Sequence, residues 1–209
     1  MYTIKKVRDV SRFLIQAYGP PTAKRLLWNR DFLRGRRGRL NDTVDDCLYP
    51  FLEKYAHKGS ILDLGCGAGS TENELDATSY RDYTGVDISD VAISKAKRRT
   101  EEKGRAEKAR YVQSDFFGYV PDQQFDVILF RDSIYYVPLP KIKGMLERYS
   151  KYLKERGAFV VRLYDRSVKY KTIIDTIKSN FEVVDTNLSS QSKTAVIVFR
   201  PREEAAAQQ

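Results

Sequence analysis

Three aspartates stand where short apolar runs give way to turns: Asp63, Asp87 and Asp115. The first lies in Ser60-Ile61-Leu62-Asp63-Leu64-Gly65-Cys66-Gly67-Ala68-Gly69-Ser70. Glycine at alternate positions 65, 67 and 69 permits a sharp strand-to-helix turn and lets a ligand approach the backbone closely. Free N–H groups at the start of the following helix suit a polar or anionic group. Asp87 closes the run Tyr83-Thr84-Gly85-Val86-Asp87-Ile88, where a carboxylate can accept both hydroxyls of a ribose. Asp115 closes Arg110-Tyr111-Val112-Gln113-Ser114-Asp115 and precedes Phe116-Phe117. A single acid at a strand end is ordinarily a helix cap or a solvated group. Three at successive strand ends point to one ligand lying across the edge of a sheet.

The glycine turn departs from two other nucleotide-binding patterns. Ser70 stands where a dinucleotide fingerprint has its third glycine, and no Gly-Lys-Ser/Thr follows, which excludes a P-loop. An acid at a strand end followed by Gly-x-Gly-x-Gly resembles motif I of class I S-adenosylmethionine (SAM) methyltransferases. Gly85-Val86-Asp87-Ile88-Ser89 resembles that family's motif II. The resemblance implies that Gly65, Cys66, Gly67 and Gly69 wrap the methionine part of SAM and that Asp63 helps to hold its amino group. It further implies that Asp87 takes the ribose and Ile88 packs on the adenine. Asp115 and the Phe116 backbone N–H would read the adenine edge, with Ser114 and Arg131 completing the cofactor set.

The fourth strand end, Phe130-Arg131-Asp132-Ser133-Ile134-Tyr135-Tyr136-Val137-Pro138, bears on the acceptor. It lacks the Asn/Asp-Pro-Pro-Tyr/Phe of methylases acting on adenine or glutamine amides. An acid followed by an aromatic pair is similar to small-molecule methyltransferases, including the nodulation-type N-methyltransferases. Those enzymes carry a Ser-Glu pair where this chain has Arg131-Asp132. An acceptor that must lose a proton needs a general base, and Asp132, Tyr135 and Tyr136 are the candidates. Packing of the two tyrosines against the following helix is the competing role. Arg162, Tyr164 and Asp165, at the end of the fifth strand, are candidates for the acceptor pocket.

Periodicity supplies the elements that position these residues. Helices are expected over 3–18, 22–34, 43–57, 90–103, 139–154 and 168–179, from apolar positions recurring at i, i+3 and i+4. Strands are expected over 60–65, 83–88, 110–115, 125–130, 157–163, 181–186 and 194–200, the last two joined by the polar turn 188–192. Gly19-Pro20-Pro21 separates the first two helices, and Ser89 is a helix cap. Strands alternating with helices and closed by an antiparallel pair make a doubly wound α/β sheet. The family resemblance implies a Rossmann-like seven-stranded order, 3-2-1-4-5-7-6, with strand seven antiparallel. The expected organisation is an N-terminal helical lid (1–42), a SAM-binding domain (43–200) and a disordered tail (201–209).

The 209 residues suffice for one such domain with an appendage. No apolar run reaches membrane-spanning length, no secretory leader is evident, and Cys47 and Cys66 with His57 give no metal-ligand spacing. A cytoplasmic, metal-free protein is expected. The formal charge is +9, and residues 1–60 carry 13 Lys/Arg against 6 Asp/Glu. Arg34, Arg36, Arg37 and Arg39 cluster in one loop. Such an excess favours an acceptor bearing a carboxylate or phosphate, or a nucleic acid. The run Lys95, Lys97, Arg98, Arg99 and Lys103 reads as a solvated helix face. The resulting expectation is methyl transfer from SAM to N or O of a small molecule. Methylation of RNA and a non-catalytic SAM-binding scaffold are the rivals. Oligomeric state is not legible.

Overall fold

The computed structural model describes residues 11–35, 47–164, 168–188 and 194–202. Two helical stretches lead: residues 11–18 (α1) and Pro21–Leu33 (α2). Pro21 at the start of α2 has the fixed φ that a first helical turn needs. The core then runs α3 (Tyr49–Ala56), β1 (Ser60–Leu64), α4 (Ser70–Glu74), β2 (Asp82–Asp87), α5 (Asp90–Glu102), β3 (Ala109–Gln113) and β4 (Phe125–Arg131). It continues through a single 3-10 turn (Ile134–Tyr136), α6 (Leu139–Ser150), β5 (Leu153–Tyr164), α7 (Val168–Asn180), β6 (Glu182–Asn187) and β7 (Thr194–Arg200).

The seven strands form one sheet in the order β3-β2-β1-β4-β5-β7-β6, as expected. β1 pairs in parallel with β2 on one side and β4 on the other, while β7 is antiparallel to both β5 and β6. The chain direction across the sheet reverses between β1 and β4, which opens a crevice beyond their carboxyl ends.

Alternation along the strands sorts two apolar layers. Phe125, Ile128 and Phe130 of β4 face Ile142, Leu146 and Tyr149 of α6 and Ile173 and Ile177 of α7. Val127 and Leu129 turn to the opposite layer, with Leu52 of α3 and Ile93 and Ala96 of α5. Burying one of these large side chains contributes roughly 1.5–3 kcal/mol. The sheet edge that carries the site is therefore held rigid from both faces.

The larger departures from the expected boundaries fall at α3 and at the α6–β5 junction, and one short helix, α4, was not expected. Residues 43–46 of the expected third helix lie outside the described residues. Cys47 and Leu48 form a turn, and α3 starts at Tyr49, because Pro50 has no N–H with which to continue an earlier helix. Leu153, expected on α6, opens β5 instead. It pairs with Phe125, and Phe125 N–H donates to the Tyr152 carbonyl, so sheet pairing overrides the helical periodicity. The five-residue α4 has too little apolar periodicity to be read in advance. Residues 3–10, the arginines at 36, 37 and 39, Asp165 and residues 203–209 lie outside the described residues.

Candidate active site

The ends of β1, β2 and β4, the loop after β3 and the inner face of α2 enclose a cavity of about 360 Å³. Asp63, Asp87, Asp115, Arg131 and Asp132 all line it.

Gly65 and Gly67 shape its floor. Gly65 has φ +88°, and a Cβ there would lie 2.5 Å from Ser133 Cβ. Ser133 in turn donates to the Leu64 carbonyl at 2.5 Å, locking the end of β4 onto the glycine turn. Gly67 has φ +56° and faces the Phe32 ring, 3.4 Å from where its Cβ would stand. Its N–H donates to Asp87 Oδ2 at 3.0 Å, while Asp87 Oδ1 accepts from Ser89 N–H at 2.8 Å. Asp87 thus joins two turns and still fronts the cavity.

Asp63 is fully buried. Tyr83 donates to its Oδ2 at 2.5 Å, and Oδ1 accepts no hydrogen bond among the described residues. Burial pushes its carboxyl up to about 6, with Tyr83, Thr71 and Arg131 pulling the other way. An ionised buried carboxylate with an oxygen to spare calls for a cationic donor. Arg131 donates to the Tyr49 and Thr71 hydroxyls at 3.0 and 3.3 Å and lies 3.5 Å from Glu74. Asp115 Oδ1 accepts from Phe117 N–H at 3.0 Å, and its Oδ2 lies 3.6 Å from Lys24 Nζ.

The proposed catalytic residues separate. Asp132 has a left-handed φ of +53° and is ion-paired with the buried Arg162. Tyr136 lines the cavity and meets Trp28 edge-on, with ring centroids 4.8 Å apart. Tyr135 packs against the α6/α7 core layer and, at 4.8 Å, against the Tyr136 ring. Cys66, Ile88 and Phe116 also line the cavity, whereas Ser114 and Gly69 do not. Ser114 N–H bonds the Asp87 carbonyl, and Gly69 caps α4 where a Cβ would approach Tyr111 and Ala96. Tyr164 is exposed and stands outside the lining. His57 is exposed and ends α3 in a left-handed conformation.

Several lining residues escape the sequence reading. Lys24 and Phe32 fall with Trp28 at four-residue spacing on one face of α2, a signal that was available. Lys95 and Arg99, read as solvated, are half-buried. Lys95 donates to the Phe32 carbonyl at 2.6 Å and Arg99 to the Ala68 carbonyl at 3.2 Å. Lys95 therefore caps the carbonyl end of α2 and ties it to α5. Thr71 and Ser133 carry no motif signal.

Comparison with known proteins adds the lineage. The methyltransferase domain family model matches residues 56–203. A sterol 24-C-methyltransferase of Gibberella zeae is 29% identical over 102 residues, covering 48% of this chain and 26% of its own length. The mRNA cap guanine-N(7) methyltransferase of Schizosaccharomyces pombe is 28% identical over 149 residues, 65% of this chain and 41% of its own. The chain thus spans less than half the length of these curated relatives. Among solved structures, N-methyltransferase NodS of Bradyrhizobium japonicum WM9, bound to S-adenosyl-L-homocysteine, superposes with a TM-score of 0.68 at 19% identity. The match covers 86% of this chain and 98% of that one.

Proposed function

The chain belongs to the class I, SAM-dependent methyltransferase domain family, and from that premise we propose that it transfers the methyl group of SAM to N or O of a small-molecule acceptor. The observation that carries the reading is the convergence of Asp63, Asp87 and Asp115 on one cavity floored by the glycine turn.

The residues present fit the donor. Asp63 Oδ1, buried and without a hydrogen bond among the described residues, suits an ammonium group. Gly67 leaves the backbone open to close approach. Asp87 suits a ribose, and Ile88 and Phe116 offer apolar surface to a purine beside Asp115. When bound, SAM supplies an already activated methyl group on a sulfonium centre. The chain's task is then alignment and exclusion of water. Lys24, Trp28 and Phe32 roof the cavity, so we assign the N-terminal 42 residues as a lid. Tyr136 lines the same cavity as Asp132 and meets Trp28 edge-on, which supports a role for it in orienting the acceptor. Arg162 holds the Asp132 carboxylate in an ion pair, which suits orienting a donor group on the acceptor better than removing a proton from it.

A small acceptor fits a roofed cavity better than an open groove. The basic excess favours an acceptor with a carboxylate or phosphate, with Arg34, Arg36, Arg37 and Arg39 following directly on α2. The same excess, together with the cap methyltransferase relative, supports RNA as the second reading. Labelled SAM incubated with the protein and a metabolite extract should yield a labelled small product, identified by mass. Label appearing in added RNA instead, with binding that falls steeply with salt, selects the second reading. Label transferred to neither points to a SAM-binding scaffold.

A further inference from the structure

Asp63 is held from below by a residue outside the cavity. Tyr83 lies on β2, 1% exposed, on the sheet face shared with α3 and α5. Its ring is wedged between Tyr80 and Tyr111, with centroids 6.2 and 6.1 Å away. These neighbours fix the direction of its hydroxyl, which donates to Asp63 Oδ2 at 2.5 Å. Burial and the Asp63 charge push the Tyr83 phenol well above 10, so it remains a donor throughout the neutral range. With Oδ2 engaged, Oδ1 is the carboxylate oxygen left without a hydrogen bond among the described residues.

We propose that Tyr83 is a positioning residue for donor binding: its hydroxyl orients Asp63 with one carboxylate oxygen toward the cavity and keeps that carboxylate ionised for an ammonium group. The inference rests on the reading that the amino group of SAM meets Asp63. The groups facing Asp63 are Tyr83 and Asp87 from β2, Tyr111 from β3, Thr71 from α4, Arg131 from β4 and Cys66 from the glycine turn. Arg131 is shared with Tyr49, Thr71 and Glu74, and Asp87 opposes ionisation of Asp63. Loss of the Tyr83 hydroxyl removes a donor that favours the charged form, so the carboxyl titrates at higher pH.

The test compares binding of S-adenosylhomocysteine and adenosine by the full chain and by Tyr83→Phe, calorimetrically, from pH 5 to 8. Both ligands carry the nucleoside, but only the first carries the amino acid. In Tyr83→Phe the pH at which S-adenosylhomocysteine affinity is halved should rise by about one pH unit, so the loss is about twofold at pH 7 and grows to about tenfold at pH 5. Adenosine affinity should stay within about twofold, which also shows that the variant is folded. An unchanged S-adenosylhomocysteine profile with adenosine still bound overturns the proposal and leaves the cofactor reading standing. Failure of the parent to bind either ligand overturns the cofactor reading itself. Asp63→Asn supplies a second arm: it should bind adenosine normally and S-adenosylhomocysteine weakly, with a flattened pH dependence. Retention of the parent's profile in Asp63→Asn shows that another group titrates and overturns the proposal.

Discussion

At Gly67 two demands meet in one residue. Its φ of +56° is unfavourable for any side chain, and its N–H must reach Asp87. A β-branched residue there costs of order 1–3 kcal/mol in the backbone and projects into the cavity towards Phe32. Gly67→Val should therefore abolish binding of S-adenosylhomocysteine while the sheet still folds, as calorimetry and circular dichroism would show. Asp63 stores a different conflict. Its folded carboxyl titrates near 6 against an ordinary 3.8. A folded value above the unfolded one means that the group burdens the fold only once it ionises. Its contribution is most favourable below about pH 4 and is lost as pH rises through 6. The cost approaches about 3 kcal/mol at pH 7 and above, because holding a proton one pH unit higher is worth about 1.36 kcal/mol. Asp63→Asn should gain on the parent by up to that amount between pH 4 and 7 in ligand-free denaturant melts. A constant difference across that range would show that Asp63 keeps an ordinary carboxylate value in the folded protein.

Helix α2 links the site to the appendage. Arg25 and Asn29 both donate to Asp90 Oδ1 at 2.7 Å, Ser89 donates to Asn29 at 2.6 Å, and Lys95 holds the Phe32 carbonyl. These bonds seat α2 on the start of α5. On the cavity side, the Lys24 and Asp115 side chains are 11% and 15% exposed, so their pairing is shielded from solvent. Lys24 also lies over the Phe117 ring at 5.0 Å. A ligand whose amine is to reach Asp115 must share or displace Lys24, and lifting α2 must break that contact. Lys24→Met should therefore speed both association and dissociation of S-adenosylhomocysteine, by about tenfold each if the contact is worth ~1.4 kcal/mol. Trp28, the single tryptophan, lines the cavity and gives the stopped-flow signal. Unchanged rates in a folded Lys24→Met protein would mean that this contact does not hold the lid. Among the described residues, no helix is long and apolar enough to cross a membrane.

Over the whole molecule the charge is uneven, with the excess concentrated in the first 60 residues. Fields of that kind act over about 10 Å at 0.1 M salt, so they steer a charged acceptor without gripping it. Exchanging Arg36 and Arg37 for Gln should raise KM for an anionic acceptor several-fold at low salt. The effect should fade by about 0.5 M, with S-adenosylhomocysteine affinity nearly unchanged. Equal KM values at low salt would remove the main reason to expect an anionic acceptor. The seven strands, the carboxylates at Asp63, Asp87 and Asp115, and the glycine turn were all legible in the sequence. Each is written in local pattern: two-residue alternation, turn chemistry, and an acid at a fixed offset from glycine; the order of the strands came only through the family resemblance. What only the tertiary structure decided is which groups meet across elements. Tyr83 reaches Asp63 from the neighbouring strand, Ser133 closes on Gly65 across 68 residues of chain, and Lys24 arrives at Asp115 from α2. Tyr135 and Tyr136, adjacent in sequence, part between core and cavity because a 3-10 turn points successive side chains in different directions. Local pattern encodes the element a residue belongs to. Its partner depends on how the sheet and helices pack, and no spacing along the chain records that.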